Sequence, residues 1–283
     1  MGIICAMKKS IVIVGILAAV VAGAAEKLTD LTVKLDMQKG DYIEGERINA
    51  VVDVANASPD PIDARGPDAP DRLILELYRA SDRSQFEKNS DKPYAEPFAL
   101  LSGEGQILDV QFAEHFPITV STRYFARAVL IHKNVRYESS LKSFNVVPGL
   151  RCGGAVQMFS NKEGLRREFE LVHWVRDKVD HIFLKAKDTG TSTRTWTTAD
   201  LGVYLSATRP KVSVLPSGEV ITLHRTTQDA FIRTEFWSLP GAFEFNTHEL
   251  MLDPDVAGAA RVKELYKESG GVEPVKKAWW KFW

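Results

Sequence analysis

Short runs of apolar residues that repeat at every second position constrain this chain more than anything else in it. Leu31, Val33 and Leu35 share one side of an extended backbone; Ile48, Ala50, Val52 and Val54 do the same, with Asn49 and Asp53 turned away. Leu73, Leu75 and Leu77 repeat the rhythm, as do Leu108, Val110 and Phe112. Side chains alternate across a strand, so a short run with a period of two specifies a half-buried strand rather than a helix. A longer strand is expected over residues 124–131, with a return over 141–147. Turn residues separate the runs: Lys39-Gly40-Asp41, Glu44-Gly45, the Pro/Asp-rich stretch 58–71, Ser102-Gly103 and Lys133-Asn134. Six or seven short strands within roughly 120 residues predict an antiparallel sandwich.

Two stretches carry a family likeness. Gly40-Asp41-Tyr42-Ile43-Glu44-Gly45-Glu46-Arg47-Ile48, followed by Val52-Asp53-Val54-Ala55-Asn56, resembles the first strands of bacterial immunoglobulin-like domains, macroglobulin-type ones included. Tyr124-Phe125-Ala126-Arg127-Ala128-Val129 and Phe144-Asn145-Val146-Val147-Pro148-Gly149 are similar to the last two strands of such domains. The resemblance implies an immunoglobulin-like sandwich over 27–148, with Tyr124 as its tyrosine corner. The Cys–Trp–Cys signature of antibody domains is absent, and fold likeness of this kind assigns no activity.

Pro148-Gly149 then reads as a hinge. Residues 169–175 and 181–187 predict two strands around the polar turn Arg176-Asp177-Lys178. Asp188-Thr189-Gly190 gives another turn before Thr195-Trp196-Thr197. Residues 212–215 and 220–223 flank Pro216-Ser217-Gly218-Glu219, a strong hairpin signal, and strands follow over 231–237 and 242–245. The expectation is a second hairpin-rich antiparallel unit over 150–250, too small for a closed propeller. Ser160-Asn161-Lys162-Glu163 has capping-box spacing. A short helix is expected over 253–269, capped by Asp253, opened by Pro254 and ended by Gly270-Gly271. The fold class expected is therefore mainly β: an immunoglobulin-like sandwich, then a second antiparallel β domain with a short C-terminal helix. The stretches 58–71 and 269–275 are expected to be the most mobile loops.

The first 25 residues read as an address. Met7-Lys8-Lys9-Ser10 leads into an apolar run over 11–21 that exits through Ala22-Gly23-Ala24-Ala25. A basic start, about a dozen apolar residues and small residues at the exit describe a secretory signal peptide. The run is shorter than the roughly 20 residues a membrane-spanning helix needs. Export to the periplasm, cell surface or medium is the expectation. Cleavage would remove Lys8 and Lys9 but no acidic residue, taking a formal net charge of −1 to −3. Such a balance offers no basic stripe for nucleic acid. With 45% hydrophobic and 26% charged residues the remainder has the makings of a packed core. Of two cysteines, Cys5 lies in the leader and Cys152 is left alone, so no internal disulfide can form.

Chemistry-bearing residues are sparse. His173, Asp177, Asp180 and His181 form the densest polar group, and across a hairpin the two histidines could face one another. They lack metal-site spacing, and His248-Glu249 is followed by no second histidine. Asp60, Asp63, Asp68 and Asp71 punctuate a Pro-rich loop without the glycine and spacing of a calcium loop. Asp188-Thr189-Gly190 is only faintly similar to the Asp box of sialidase-type propellers, because Trp196 lies too far downstream. No nucleophile elbow, phosphate loop or dinucleotide fingerprint occurs. No catalytic residue, metal or cofactor is therefore expected. The C-terminal tail, 272–283, is distinctive. Lys277, Trp279, Trp280, Lys281 and Trp283 combine rings that favour membrane boundaries and protein or sugar contacts with charges that favour anionic surfaces.

These residues support an exported, non-enzymatic binding or assembly module of the bacterial envelope. Its partner would be an envelope protein, a polysaccharide, or a membrane face touched by the tail. Two alternatives remain: a secreted hydrolase, carbohydrate-active by class, acting at the His173–His181 group, and an inhibitor-like sandwich presenting the loop 58–71.

Overall fold

The computed structural model describes residues 31–66, 68–159, 165–189, 196–240 and 242–252. The leader, the capping-box segment at 160–163, the helix expected over 253–269 and the aromatic tail lie outside the described residues. Within them the chain is mainly β, built from antiparallel sheets.

The front half opens with β1 (Leu31–Met37), β2 (Asp41–Ile43), β3 (Asn49–Asn56), β4 (Ile62–Ala64) and β5 (Arg72–Arg79). It continues with β6 (Phe98–Leu100), β7 (Gly105–Gln111), β8 (Arg123–His132), β9 (Val135–Glu138) and β10 (Lys142–Val147). One sheet runs β1-β3-β7; a second runs β2-β10-β8-β5, with β9 paired to β8. Their facing rows are the ones the alternation marks. Leu31, Val33 and Leu35 meet Ala50, Val52 and Val54 from one sheet and Leu75, Leu77, Ala126 and Phe144 from the other, all buried in one core. Tyr42, Phe112 and Tyr124 crowd the ring of Phe144 with centroids 5.5–6.3 Å apart. Such aromatic packing adds to the transfer of apolar area from water. The Tyr124 hydroxyl donates to Val120 O at 2.7 Å, fixing the entry to β8. Lys133 and Asn134 take φ of 50° and 64°, the left-handed pair that a two-residue hairpin between β8 and β9 demands.

One pair in these sheets is parallel, β2 with β10. The stretch 58–71 carries a short strand of its own. Ile62 is fully buried in β4, which pairs β6, and the Asn56 side chain donates to Asp60 O at 2.9 Å. Its acids are held separately: Asp60 by Lys133, Asp63 by Arg65 and Asp71 by His132. An apolar residue at its centre and ion pairs along it tie it down.

The rear half carries β11 (Leu150–Met158), β12 (Arg166–Arg176), β13 (Val179–Thr189) and β14 (Thr197–Val203) in one sheet. The second sheet holds β15 (Lys211–Val214), β16 (Glu219–Thr227), β17 (Ala230–Leu239) and β18 (Ala242–Leu252). Phe169, Leu171, Leu184, Val220 and Phe236 form the core between them. β11 is a strand the alternation did not mark, because Gly153 and Gly154 interrupt it and a bulge shifts its register there. Polar groups also enter this interior. Arg167, 4% exposed, reaches Asp188 at 2.5 Å, the Ser238 hydroxyl at 2.9 Å and Ala242 O at 2.7 Å, joining the two sheets.

The halves meet at a built joint. β10 ends at Val147 and β11 starts at Leu150, with Gly149 at φ 74° between them. Ile43 packs on Val172 and Phe183. The turn after β2 inserts beside β14: Thr198 N donates to Gly45 O at 3.1 Å, and its hydroxyl to Glu44 O at 2.6 Å. Gly45 is required here twice over. Its φ is 85°, and a Cβ would stand 2.4 Å from the carbonyl oxygen of Trp196. Around this turn Lys185 binds Glu44 at 3.0 Å, and Arg176 binds Glu46 at 2.7 Å and Asp200 at 2.8 Å. Glu46 also receives Lys39 and the amide of Ile43. Buried charges satisfied on several sides fix one relative placement of two surfaces, because removing any partner leaves the others desolvated and unpaired.

Candidate functional site

The densest polar group in the sequence does not become a site. Register pairs His173 with Ile182 and Trp174 with His181, so the two histidines occupy opposite faces of the sheet. His173 shares its face with Asp180, 3.9 Å away, while His181 turns to Asp200 at 3.2 Å. Asp177 sits in the hairpin turn with φ 49°, a backbone role that a short polar residue tolerates. No group of three or more His, Cys, Asp or Glu among the described residues could hold a metal ion. Cys152 packs beside the rear core with its thiol donating to Leu171 O at 3.3 Å, and burial pushes its pKa up to about 11. A thiol held protonated is a poor nucleophile.

What the fold does assemble lies on the front half, at residues the sequence reading passed over. A groove of about 610 Å³ opens on the outer face of the β1-β3-β7 sheet, where the segment preceding β6 crosses it. Its floor follows from register. Gln38 N donates to Asn49 O, and Asn49 stands opposite Gln111. Ala50 and Val110 point into the core, so the neighbouring Asn49 and Gln111 point out, and Gln38 lies beside them. Three carboxamides thus form a row from the residue just past β1 across β3 to β7. Asp109 lies one outward step along β7 from Gln111, which is an edge strand.

The wall is aromatic. After β7 the chain makes a short 3-10 turn over Phe112–Glu114, which buries Phe112 and Phe116 and sets His115 beneath the crossing segment. Asn89 N donates to His115 O at 2.9 Å, and the Tyr94 ring lies 4.8 Å from the imidazole. Lys88 sits over that ring at 4.4 Å, and Lys92 meets Glu114 at 3.7 Å. His115 is only 2% exposed, and its Nδ1 has no hydrogen-bond partner. Burial first, and then the ammonium of Lys88, hold its pKa below the ordinary histidine value, so the ring is neutral at pH 7. A neutral imidazole both donates and accepts.

The lining also holds Glu96, Pro93 and Pro97. One ammonium against three carboxylates gives the groove a negative balance. No serine or cysteine lines it, whereas amides, carboxylates and one aromatic ring offer donors and acceptors to a polar ligand. Grooves of this size accept molecules of several rings. The sequence carries no local sign of it, because Asn49, Asp109 and Gln111 look like ordinary outward positions of amphipathic strands.

In comparison with known proteins, no protein-family model and no curated protein matches the chain. Among solved structures, the alkylpurine DNA glycosylase AlkC of Pseudomonas fluorescens, bound to DNA containing an abasic site analog, is 15% identical with a TM-score of 0.29. That likeness covers 42% of this chain and 30% of the glycosylase, so the chain spans less than a third of its length. Spo0M, a sporulation control protein from Bacillus subtilis, is 13% identical with a TM-score of 0.30, over 61% of this chain and 90% of Spo0M. Neither bears on what this chain binds. No helix among the described residues is long and apolar enough to cross a membrane.

Proposed function

We propose that this protein is an exported, non-enzymatic binding or assembly module of the bacterial cell envelope, its front half an immunoglobulin-like sandwich. The observation that carries the reading is the groove on the β1-β3-β7 face. It brings together carboxamides, carboxylates and a half-buried tyrosine that make no other side-chain hydrogen bonds within the described residues, on a platform joined rigidly to the rear half. Rigid presentation of unpaired polar groups suits recognition, since little ordering entropy is lost on binding. The leader over 1–25 supports export, and the tail with Lys277, Trp279, Trp280, Lys281 and Trp283 supplies the composition of an envelope contact. Against the hydrolase reading stands the register of β12 and β13, which turns His173 and His181 to opposite faces of the sheet.

The test is fractionation of the native producer combined with affinity capture from its envelope. The full chain is expected to shed its leader, to sit with periplasmic or surface material and to retain an envelope component. Deleting residues 276–283 is expected to weaken that retention while leaving the thermal midpoint unchanged. Recovery in the cytoplasm with the leader intact overturns the proposal, as does turnover of any envelope substrate by the purified protein.

A further inference from the structure

Resting on that reading, we propose that the groove on the β1-β3-β7 face is a subsite for an uncharged oligosaccharide of two to four sugar units.

Three features select this class. The first is the row of Gln38, Asn49 and Gln111, brought together by register and making no side-chain hydrogen bond among the described residues. A planar carboxamide presents an acceptor and two donors side by side, the pattern that neighbouring hydroxyls of a sugar ring match in pairs. Asp109, equally unpaired, adds an acceptor-only group beside them. Apolar ligands would desolvate all four without return, at a cost for each.

The second feature is the wall. Tyr94 is half-buried against His115, with its ring stacked on Phe116 at 6.2 Å. Lys88 stands 4.4 Å from the same centroid, so the ring offers a sugar a fixed apolar margin rather than an open face. Below it the His115 Nδ1 is buried and unpartnered, a polar atom at the groove wall that calls for a ligand or a water. The third feature is charge. Lys92 is engaged by Glu114 and Lys88 by the Tyr94 ring, so the carboxylates of Glu96, Asp109 and Glu114 keep the groove negative on balance and disfavour phosphorylated or uronic ligands. Polar, hydroxyl-rich and uncharged is the ligand chemistry that remains. The volume of about 610 Å³ fits a short chain rather than a single ring.

The test uses the full mature protein and an immobilised panel of neutral gluco-, manno-, galacto- and N-acetylglucosamine oligosaccharides, with oligogalacturonate and a neutral proline-rich peptide beside them. At least one neutral oligosaccharide is expected to bind saturably. Gln111→Ala and Asn49→Ala are each expected to weaken it at least about tenfold, as loss of a paired amide contact implies. Ile107→Ala, on the same face of β7 outside the groove lining, is expected to leave it unchanged. Thermal midpoints of both amide variants, expected to match the parent's, guard against misfolding. The proposal is overturned if no neutral sugar binds, if the amide variants bind as well as the parent, or if oligogalacturonate or the peptide is preferred. Envelope capture that persists without sugar binding sinks the ligand class and leaves the module standing. Cleavage of the bound sugar sinks the non-enzymatic reading and leaves the subsite standing.

Discussion

The two halves of this molecule bury opposite kinds of interior. In the front, the inward rows are apolar along their length: Leu31 to Leu35, Ala50 to Val54, Tyr124 to Leu130, with Asn56 and His132 only at the ends. In the rear, the same inward alternation places Arg167 beside Phe169, Thr222 and His224 beside Val220, and Thr234 and Ser238 beside Phe236. Apolar rows gain free energy from area removed from water and need no particular partner. Polar rows must find partners, and His224, 2% exposed, has found little: among the described residues its ring has a backbone contact at Val203 but no well-formed hydrogen bond. The front is therefore held by packing, and the rear by packing that carries an electrostatic liability.

The largest effect expected from this contrast is at Phe144, fully buried among three other rings. Phe144→Ala should cost about 4 kcal/mol through lost transfer and a residual cavity, read as a lowered urea midpoint. A loss below about 1 kcal/mol would mean the front core is loose and would end the comparison.

Acid should act on the rear. Burial, and then the charge of His248, hold the His224 pKa down to about 4, and burial lowers His248 as well. The unfolded imidazole binds its proton near pH 6.5, whereas the folded one refuses it. Stability is thus full above pH 6.5, falls as pH drops towards 4, and levels below that, by up to about 3 kcal/mol from His224. Urea midpoints measured across this range should show the decline, and His224→Leu should flatten most of it. An unchanged slope in that variant would move the liability elsewhere, with His115 in the front next to be tested because burial lowers it too.

The smallest effect concerns the joint. Gly45→Ala adds a Cβ that meets the Trp196 carbonyl in a left-handed backbone position. A cost of about 2 kcal/mol is expected from strain and a displaced turn. Calorimetry should then resolve two transitions, front and rear, where the parent shows one. A single transition at the parent temperature would show that the Glu46–Arg176 network alone couples the halves.

Legibility follows the same division. The front strands were readable because their inward rows hold little but Leu, Val, Ala and Ile. The rear hairpins were readable from turn residues around 177 and 216–219, although β18 extends well past the apolar stretch 242–245 that suggested it. β11 was missed because two glycines hide its alternation. Of the site, nothing was legible. The acids of 58–71 looked like a loop because sequence alone does not reveal the pairing of Ile62 with Leu100.

By itself the sequence determined that this chain forms strands, where most of them turn, and which side of each faces inward, since a period of two is a local property of the backbone. Only the tertiary structure decided which strands lie side by side, and hence that His173 and His181 part while Gln38, Asn49 and Gln111 join. The reason is register. Shifting one strand by a single residue leaves its own pattern intact yet exchanges every side chain it shows its neighbours. Where function sits on the outward face, no apolar row in the sequence records that choice.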